Sequence, residues 1–315
     1  MSTTFIQMLR AAEVSGEPII IDGGLGTALE SRAIDLRHEL WSAALLRDSP
    51  DTLAEVHADF IRAGARIVTT ASYQATPLGF ERASISAEEG LRLIATSVEV
   101  AARAGTALVA GSVGPYGAAL GNGGEYTGDY SLSDAEFTDF HRPRIEALVR
   151  AGADLLAIET QPSLPEARVL AGLAEEFGIA AWLSVTLADH GGVADGRHMA
   201  DGTPLTDLAE AVAGSTMIRA LGVNCVRPSL VSPALQTLAS ATDLPLIAYP
   251  NSGETYDAAA MEWREGAALD TSPTTLSSWV SSGARIIGGC CRTTPGDIAG
   301  LVASAQELSR ASSPD

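Results

Sequence analysis

Three cysteines are the residues of this sequence best suited to chemistry. Cys225 lies at the end of one apolar run of the chain, and the adjacent Cys290 and Cys291 lie at the end of another. Thiolate sulfur is a good ligand for Zn²⁺, and three protein ligands leave a fourth coordination position open, as in catalytic zinc sites. Cysteine is also a small apolar core residue, and the chain has no CxxC pair. Spacing alone therefore leaves a zinc site and inert buried cysteines equally open.

The three sulfurs can meet only if the backbone directs them to one point. Adjacent residues of a strand point to opposite faces, so Cys290 and Cys291 can face the same side only where the chain turns. Gly288 and Gly289 come directly before the pair and make such a turn easy. We therefore expect the chain to turn at these positions.

Short apolar runs alternate with longer amphipathic stretches along the chain, which is typical of α/β proteins. A weak internal repeat supports this pattern, because helical stretches end at Gly64, Gly152 and Gly283 and an apolar run follows each at once. The predicted strands are nearly continuous in apolar residues, as parallel strands covered on both faces are. They comprise residues 18–22, 65–73, 106–113, 153–160, 180–187, 220–225, 244–251 and 284–291.

The predicted fold is a single-domain (β/α)8 TIM barrel over residues 1–308, followed by a flexible C-terminal tail over residues 309–315. A barrel carries its chemistry on the loops after the strands. These loops are predicted to be long, at about residues 22–50, 113–133, 187–204 and 251–274. A doubly wound open sheet is the alternative, but the first strand lacks the GxGxxG turn that such a sheet favours. Alternate barrel strands supply one interior layer, so the sixth and eighth strands can bring Cys225 to the vicinal pair.

Each predicted strand ends with a polar residue, and in a barrel such residues converge on one pocket. They are Asp22, Thr70, Ser112, Glu159, Thr186, Cys225, Asn251 and Cys290. The carboxylates of Asp22 and Glu159 need a cationic or hydrogen-bonding partner at the mouth of an apolar barrel. The Gly- and Tyr-containing loop over residues 121–130 adds acidic and aromatic groups, which suit a cationic ligand.

Composition excludes several classes of function. The 315 residues include 20 basic and 39 acidic ones, giving a net charge of −19, which argues against a nucleic-acid or membrane-surface partner. The chain contains no lysine, so Schiff-base chemistry by lysine is excluded. No apolar run is long enough to span a bilayer, and three cysteines are too few for a disulfide scaffold, so we expect a reduced, cytoplasmic protein. The charge does not decide the oligomeric state.

The motifs of the chain closely resemble those of the homocysteine S-methyltransferases, in the branch that uses S-methylmethionine or S-adenosylmethionine. The most specific are GVNC (222–225) and GGCCRTTP (288–295), in this order. The likeness covers essentially the whole chain and includes IDGGLGT (21–27), TTASYQATPLGF (69–80), GSVGPYGAAL (111–120), GEYTGDY (124–130), FHRPRIEAL (140–148), AGADLLAIET (151–160), DGTPL (201–205) and YPNSGE (249–254). The resemblance implies a (β/α)8 barrel that transfers a methyl group to the thiol of L-homocysteine.

The same resemblance implies a set of site residues. Three cysteines bind zinc, and the homocysteine sulfur completes the tetrahedron. These ligands are Cys225, Cys290 and Cys291. By the same likeness Asp22 and Glu159 hold the substrate ammonium, while the backbone at Gly23 and around Thr70 receives its carboxylate. Betaine-using relatives carry an aromatic residue directly after the glutamate, whereas this chain has Thr160, which argues against betaine as the donor.

The methyl donor of this branch is a sulfonium cation, so we expect its pocket to be anionic or aromatic. Glu125 and Tyr126 are the candidate residues for that pocket, with Tyr73 and Asn251 behind them. The residues do not decide between S-methylmethionine and S-adenosylmethionine.

Two other classes of protein are considered. A carbon–carbon lyase on a barrel usually needs a lysine or a divalent ion on oxygen ligands, and the absence of lysine argues against the first of these. A non-catalytic zinc or thiol redox sensor is the other alternative, since a vicinal cysteine pair can oxidise. Adjacent cysteines form strained rings, which weakens that alternative.

Overall fold

The computed structural model describes residues 3–36, 44–189, 194–257 and 262–312, and for residues 254–257, 262–267 and 311–312 the backbone alone. The strands in chain order are β1 (Ile19–Ile20), β2 (Ile67–Thr69), β3 (Leu108–Val113), β4 (Leu155–Gln161), β5 (Ala181–Val185), β6 (Ile218–Asn224), β7 (Leu246–Tyr249), β8 (Gly253–Asp257), β9 (Glu262–Ala267) and β10 (Ala284–Ile287).

Helices fill the intervals between these strands. They are α1 (Thr3–Ser15), α2 (Leu25–Glu30), α3 (Leu45–Asp48), α4 (Pro50–Arg62), α5 (Pro77–Arg82), α6 (Ala87–Arg103), α7 (Tyr116–Leu120), α8 (Asp134–Arg150), α9 (Leu164–Phe177), α10 (Leu205–Val212), α11 (Pro228–Ala239), α12 (Pro273–Ser281) and α13 (Pro295–Ser312). A short 3₁₀ helix covers Gly124–Tyr126. No helix within the described ranges has the length and apolarity needed to cross a membrane.

The eight strands expected from the sequence form one parallel sheet in the order β1-β10-β7-β6-β5-β4-β3-β2. A parallel bridge between Ile21 and Ile67 joins the two ends of this sheet, and the Arg66 amide donates to the Ile20 carbonyl at 2.8 Å. The predicted (β/α)8 barrel is therefore confirmed. A closed barrel leaves no open sheet edge and sends the ends of all its strands to a common mouth.

Two layers of apolar side chains stabilise the barrel. The inward side chains of the strands form one cluster, which includes Ile67, Trp182 and Ile286, and the larger cluster lies between the strands and the outer helices. Phe5 and Leu9 of α1 belong to the inner cluster. Helix α1 therefore packs into the amino-terminal end of the barrel and fills it.

The connections from helices to strands follow the predicted design. Gly64, Gly152 and Gly283 all adopt positive φ angles, of 105°, 93° and 98°, within three residues of the starts of β2, β4 and β10. Glycine takes this left-handed conformation without a steric penalty, so each helix ends sharply and the strand begins at once. These tight turns lie at the end of the barrel away from the predicted site.

The start of α8 shows how the chain fixes the end of a site loop. The Ser133 hydroxyl accepts a hydrogen bond from the Glu136 amide at 3.3 Å, and the Glu136 carboxylate accepts one from the Ser133 amide at 2.8 Å. This capping box satisfies amides that have no partner inside the helix. Phe137, Ile145 and Leu148 then bury one face of α8 against the barrel. The loop over residues 113–133 thus ends at a defined residue.

The long loops carry more structure than the sequence indicated. The loop over residues 251–274 contains an antiparallel hairpin of β8 and β9, which was missed because its residues are too polar to resemble the buried strands. The loop over residues 113–133 contains α7 and the 3₁₀ helix. Part of the predicted loop over residues 187–204 lies outside the described residues.

The C-terminal helix α13 runs to Ser312, four residues beyond the boundary that was predicted at residue 308. The residue before a proline disfavours helical geometry, and the first such residue here is Ser313, before Pro314. The helix can therefore continue through residues 309–312, which were predicted to be a tail. Residues 313–315 lie outside the described part of the chain.

The close approach of β6 to β7 generates a stability prediction. A Cβ atom at Gly222 would overlap the carbonyl oxygen of Ile247, which is backbone and cannot move aside. We expect Gly222→Ala to lower the free energy of unfolding by about 3 kcal/mol or more. Gly172→Ala is the matched control, because nothing lies within 4 Å of its added carbon on helix α9, and it should stabilise the protein by about 0.5–1 kcal/mol. Urea denaturation of both variants measures this, and equal stabilities would contradict it.

Candidate metal centre and amino-acid pocket

The structure brings the three cysteine sulfurs together at the carboxyl-terminal mouth of the barrel. Cys225 follows β6 directly, and Cys290 and Cys291 lie shortly after β10. The three Sγ atoms all lie within 4.8 Å of one another, and those of Cys225 and Cys291 are 3.6 Å apart. Cys225 is buried and the vicinal pair is half-buried. Residues 65 positions apart in sequence thus share one small volume.

The backbone around the cysteines is held by the neighbouring strand ends. The Cys225 amide donates to the Tyr249 carbonyl at 3.2 Å, and the Cys290 amide donates to the Pro250 carbonyl at 2.8 Å. The Cys291 amide donates to Oδ1 of the Asn251 side chain at 3.1 Å. Each cysteine is therefore fixed by its own amide, which leaves its sulfur free to act as a ligand.

The turn at the vicinal pair differs in detail from the expected one. Strand β10 ends at Ile287, so the cysteines lie outside strand geometry, but the left-handed residue is Arg292, with φ of 63°. Gly288 and Gly289 are needed for close packing instead, because added carbons there would overlap the side chains of Ile21 and Thr293. The expectation that these two glycines supply the turn was wrong in this respect.

The three sulfurs fit a tetrahedral soft-metal site. Zn–S bonds of about 2.3 Å place two sulfurs of a tetrahedron about 3.8 Å apart, close to the observed spacing. Hydrogen bonding with Cys225 and Cys290 lowers the pKa of the Cys291 thiol, whereas the same interactions and burial raise the pKa values of the other two thiols. Cys291 is therefore the thiol of the three that ionises most readily. Within the described part of the chain, the three cysteines are the one group of His, Cys, Asp or Glu side chains close enough together to hold a metal ion.

Two buried carboxylates face the same mouth. Asp22 follows β1 with 3% of its surface exposed, and its Oδ2 accepts from the Thr69 amide at 2.7 Å and from the Thr69 hydroxyl at 3.1 Å. Glu159 of β4 is 8% exposed and accepts from the Ser112 hydroxyl and, at 3.1 Å, from the Tyr249 hydroxyl.

Burial controls the protonation of these two carboxylates. It raises the pKa of Asp22 to about 8 and that of Glu159 to about 7, because removal from water disfavours the charged form. Among the described residues, neither carboxylate forms an ion pair with Arg or His. A cation placed between them would therefore favour ionisation of both.

The predicted receivers of a carboxylate are only partly available. The Gly23 amide has no hydrogen-bond partner within the described residues. The Thr70 amide donates to the Ala110 carbonyl at 3.0 Å, and the Thr70 hydroxyl bonds to Ser72 at 2.7 Å, so Thr70 itself is engaged in the fold. The amides of residues 71–73, in the turn that follows, are unpaired in the described structure and can take that role.

The residues expected to contact a cationic ligand lie beside the sulfurs. The 3₁₀ helix places the Tyr126 hydroxyl 3.4 Å from Cys225 Sγ. Glu125 Oε2 is buried with no hydrogen-bond partner in the described structure, and burial raises the pKa of this carboxyl to about 7. Burial also raises the pKa of Tyr73, which lies within electrostatic range of Glu125. The Asn251 side chain instead accepts a hydrogen bond from the Cys291 amide, so it supports a cysteine of the metal centre.

Sequence reasoning missed a buried polar network beneath the site. The Tyr249 hydroxyl, which donates to Glu159, also contacts Trp182 Nε1 at 3.1 Å and the Ser184 hydroxyl at 2.6 Å. The Ser184 hydroxyl in turn lies 2.8 Å from Oδ1 of Asn224. Tyr249 and Asn224 are the last residues of β7 and β6, and their polar side chains at the ends of apolar strands were the available signal.

Comparisons with known proteins give the family and the fold of the chain. A family model described as homocysteine S-methyltransferase matches residues 19–305. A homocysteine S-methyltransferase of Escherichia coli (strain K12) is 47% identical over 308 residues, covering 94% of this chain and 97% of that protein. A homocysteine S-methyltransferase of Bacillus subtilis (strain 168) is 40% identical over 305 residues, covering 92% and 95% of the two chains.

A solved structure extends the likeness to three dimensions. The crystal structure of the homocysteine methyltransferase MmuM from Escherichia coli, in its metallated form, is 44% identical to this chain with a TM-score of 0.83. The match covers 94% of this chain and 99% of that one. Sequence and fold agree from β1 to the last helix, and the chain belongs to the homocysteine S-methyltransferase family of enzymes.

Proposed function

We propose that this enzyme transfers a methyl group from a sulfonium donor, S-methylmethionine or S-adenosylmethionine, to the thiol of L-homocysteine, giving methionine. The observation that carries the proposal is the meeting of three cysteine sulfurs with two buried, cation-free carboxylates at one barrel mouth. A thiol amino acid supplies what this mouth lacks, namely a fourth sulfur and an ammonium group. The named activities of the relatives support the same substrate.

The amino-acid end of homocysteine is proposed to bind between the strand ends. Asp22 and Glu159 receive its ammonium group, which offsets the repulsion and desolvation of two buried carboxylates. The unpaired amide of Gly23 and the amides of residues 71–73 receive its carboxylate. This orientation directs the thiol toward the cysteine sulfurs.

The metal is proposed to be Zn²⁺, held by Cys225, Cys290 and Cys291. When bound, zinc would lower the pKa of the homocysteine thiol and keep it as a thiolate near neutral pH. Three thiolates offset the charge of a divalent ion to a formal net −1, which keeps a fourth sulfur electron-rich. Three reduced thiols are also a reason to place the enzyme in a reducing compartment, and we propose the cytoplasm.

The donor is proposed to bind on the side of the sulfurs occupied by the loop over residues 113–133. The unpartnered carboxylate oxygen of Glu125 can face the sulfonium, and Tyr126 and Tyr73 surround it with aromatic surface. In the transfer, the new bond joins the methyl carbon to the homocysteine sulfur, and the electrons of the broken bond return to the donor sulfur, which becomes a neutral thioether. The thiol proton has left to solvent before this step.

The residues at the mouth speed this reaction by positioning and by exclusion of water. The nucleophile is anionic and the donor is cationic, so their charges cancel in the transition state, and a low-dielectric site favours such a step. The Tyr126 hydroxyl lies 3.4 Å from Cys225 Sγ and limits the space around it, and the two carboxylates hold the substrate in line. No side chain needs to act as a general base toward the thiol.

A thiol redox sensor is the second candidate, favoured by the 3.6 Å separation of the Cys225 and Cys291 sulfurs. A small movement of the two sulfur atoms toward each other would bring them to the disulfide bond length of about 2.05 Å. An assay for methionine formed from homocysteine and S-methylmethionine separates the two functions. Turnover with about one zinc per chain supports the enzyme, whereas thiol or metal loss without turnover supports the sensor.

The ligand assignment predicts the effect of removing one sulfur. We expect Cys225→Ala, Cys290→Ala and Cys291→Ala each to reduce bound zinc from about one per chain to nearly none, and to lower kcat/KM by about 1,000-fold or more. Metal analysis and steady-state kinetics measure this, and circular dichroism checks that the barrel is folded. Full activity in any of the three variants would contradict the assignment.

The raised pKa values of Asp22 and Glu159 predict a pH dependence of ligand binding. Below about pH 7 both carboxyls are protonated in the free protein, and an ammonium group must then displace protons to bind. We expect the Kd of L-methionine, which has no thiol to titrate, to rise about tenfold or more from pH 8 to pH 6.

Calorimetry measures this dependence together with the protons released. Asp22→Asn should weaken binding at pH 8 and flatten the pH profile, whereas Glu13→Gln, an exposed carboxylate on α1, should leave it unchanged. A Kd that is constant over this range in the wild-type protein is the opposite outcome.

The buried carboxylate of Glu125 predicts a selective effect on the donor. We expect Glu125→Gln to raise the KM of S-methylmethionine at least about tenfold, which corresponds to about 1.4 kcal/mol, with homocysteine KM changed by less than about twofold. Asp129→Asn, an exposed carboxylate in the same loop, is the matched control and should change neither value. An unchanged donor KM in Glu125→Gln removes this residue from the donor pocket.

A further inference from the structure

Asn224 lies at the centre of the buried network and directly before a cysteine of the metal centre. It is fully buried at the end of β6. Its Oδ1 accepts from the Thr160 amide and from the Ser184 hydroxyl, each at 2.8 Å. Its Nδ2 donates to the Thr160 hydroxyl at 2.8 Å and lies 4.0 Å from Cys290 Sγ. One amide group thus contacts residues from β4, β5 and the loop after β10.

The contacts with Thr160 support a strained backbone. Thr160 has φ of 57°, a left-handed conformation that is unfavourable for a β-branched residue. The pairing of β4 with β5 shifts register between Ile158 and Gln161, so this bulge contains Glu159 and Thr160. Both bulge residues are buried. The Asn224 side chain bonds to the amide and the hydroxyl of Thr160 and so holds the bulge that aims Glu159.

A second path links Asn224 to Glu159. The Ser184 hydroxyl, which lies against Asn224 Oδ1, also contacts the Tyr249 hydroxyl at 2.6 Å. Tyr249 donates to Glu159 Oε2 at 3.1 Å. The Asn224 side chain therefore reaches Glu159 through the backbone of β4. The Ser184 and Tyr249 hydroxyls, whose hydrogens go to Asn224 and Glu159, add a packing contact between the two.

On its other side Asn224 contacts the metal centre. The residue that follows it, Cys225, is also left-handed, with φ of 54°. A rigid residue before a strained ligand limits the positions that its sulfur can take. Nδ2 of Asn224, at 4.0 Å from Cys290 Sγ, is a weak donor to this sulfur, and N–H donors of this kind stabilise thiolate ligands.

We propose that Asn224 is a positioning residue that couples the metal centre to the amino-acid pocket, setting the geometry of the cysteine ligands and the aim of Glu159 through one amide group. This inference rests on the proposed function for the identity of the amino-acid ligand. Asn224 is fully buried, and its effect is exerted through its neighbours Thr160, Ser184, Cys225 and Cys290.

The first measurement uses the metal alone. Apoprotein is titrated with Co²⁺, and the thiolate-to-cobalt absorption reports binding at the cysteines. We expect Asn224→Ala to raise the Kd of Co²⁺ about 10–100-fold, the usual effect of losing a group that orients metal ligands. Ser184→Ala is the control: it keeps the Thr160 and Cys290 contacts of Asn224, so its Co²⁺ affinity should stay within about twofold of the wild-type value.

The second measurement tests the support of Thr160. We expect Asn224→Ala in the zinc-loaded enzyme to raise the homocysteine KM about tenfold or more. Glycine adopts left-handed angles freely, so the double variant Asn224→Ala with Thr160→Gly should have a homocysteine KM within about threefold of Thr160→Gly alone. If Asn224 only fills space at the end of β6, Thr160→Gly should not remove the effect of Asn224→Ala on the homocysteine KM.

The outcomes separate this inference from the proposed function. If the wild-type protein turns over and binds Co²⁺ while Asn224→Ala stays within about twofold of it in Co²⁺ Kd and homocysteine KM, the coupling role of Asn224 is overturned. That result leaves the proposed function intact. Loss of both properties without rescue by Thr160→Gly overturns the path through Thr160. If the wild-type protein binds Co²⁺ but does not methylate homocysteine, the proposed function is overturned. The predicted effect of Asn224→Ala on Co²⁺ affinity is still decided by the titration. If Asn224→Ala does not fold, Asn224→Ser is measured against the same limits.

Discussion

The burial of acidic groups at the barrel mouth is the constraint on which the site depends, because their charged forms are unfavourable there without cations. Asp22, Glu159 and Glu125 are carboxyls removed from water, and three cysteine sulfurs lie beside them. Charges in such a setting are expensive unless cations accompany them, and the protein supplies none within the described residues. A divalent metal, an ammonium group and a sulfonium are three cations of different shapes. The carboxyls of the free site are therefore partly protonated near neutral pH, and a cationic ligand favours their ionisation.

The fold makes this arrangement possible by separating stability from chemistry. Tight glycine turns at Gly64, Gly152 and Gly283 define one end of the barrel, and long loops with their own helices and hairpin define the other. Of the five described non-glycine residues with positive φ, three lie at or shortly after strand ends of that second end, namely Thr160, Cys225 and Arg292. Strained residues persist only where the surrounding structure holds them, so the closed sheet beneath stabilises what the loops could not maintain alone.

The periodic apolar pattern was enough to predict eight buried parallel strands. The long loops after the strands and the missing GxGxxG turn then favoured a barrel over an open sheet. The hairpin of β8 and β9 left no such pattern, since it is a pair of polar strands outside the sheet. The cysteines and the two strand-end carboxylates were visible from residue type and position. Asn224 and Tyr249 were not, because their roles depend on contacts with Thr160 and Glu159 across strands, and no local spacing encodes those contacts. The availability of the Gly23 amide, and the engagement of Thr160 and Thr70, likewise follow only from backbone angles and pairing.

The filling of the barrel by α1 determines where substrates enter and products leave. Phe5 and Leu9 occupy the amino-terminal end, so both substrates and both products must exchange through the opposite opening. With S-methylmethionine as the donor, the demethylated donor and the methylated acceptor are the same compound. Methionine can then occupy either half of the mouth after a turnover, and its accumulation would slow the enzyme at two positions at once.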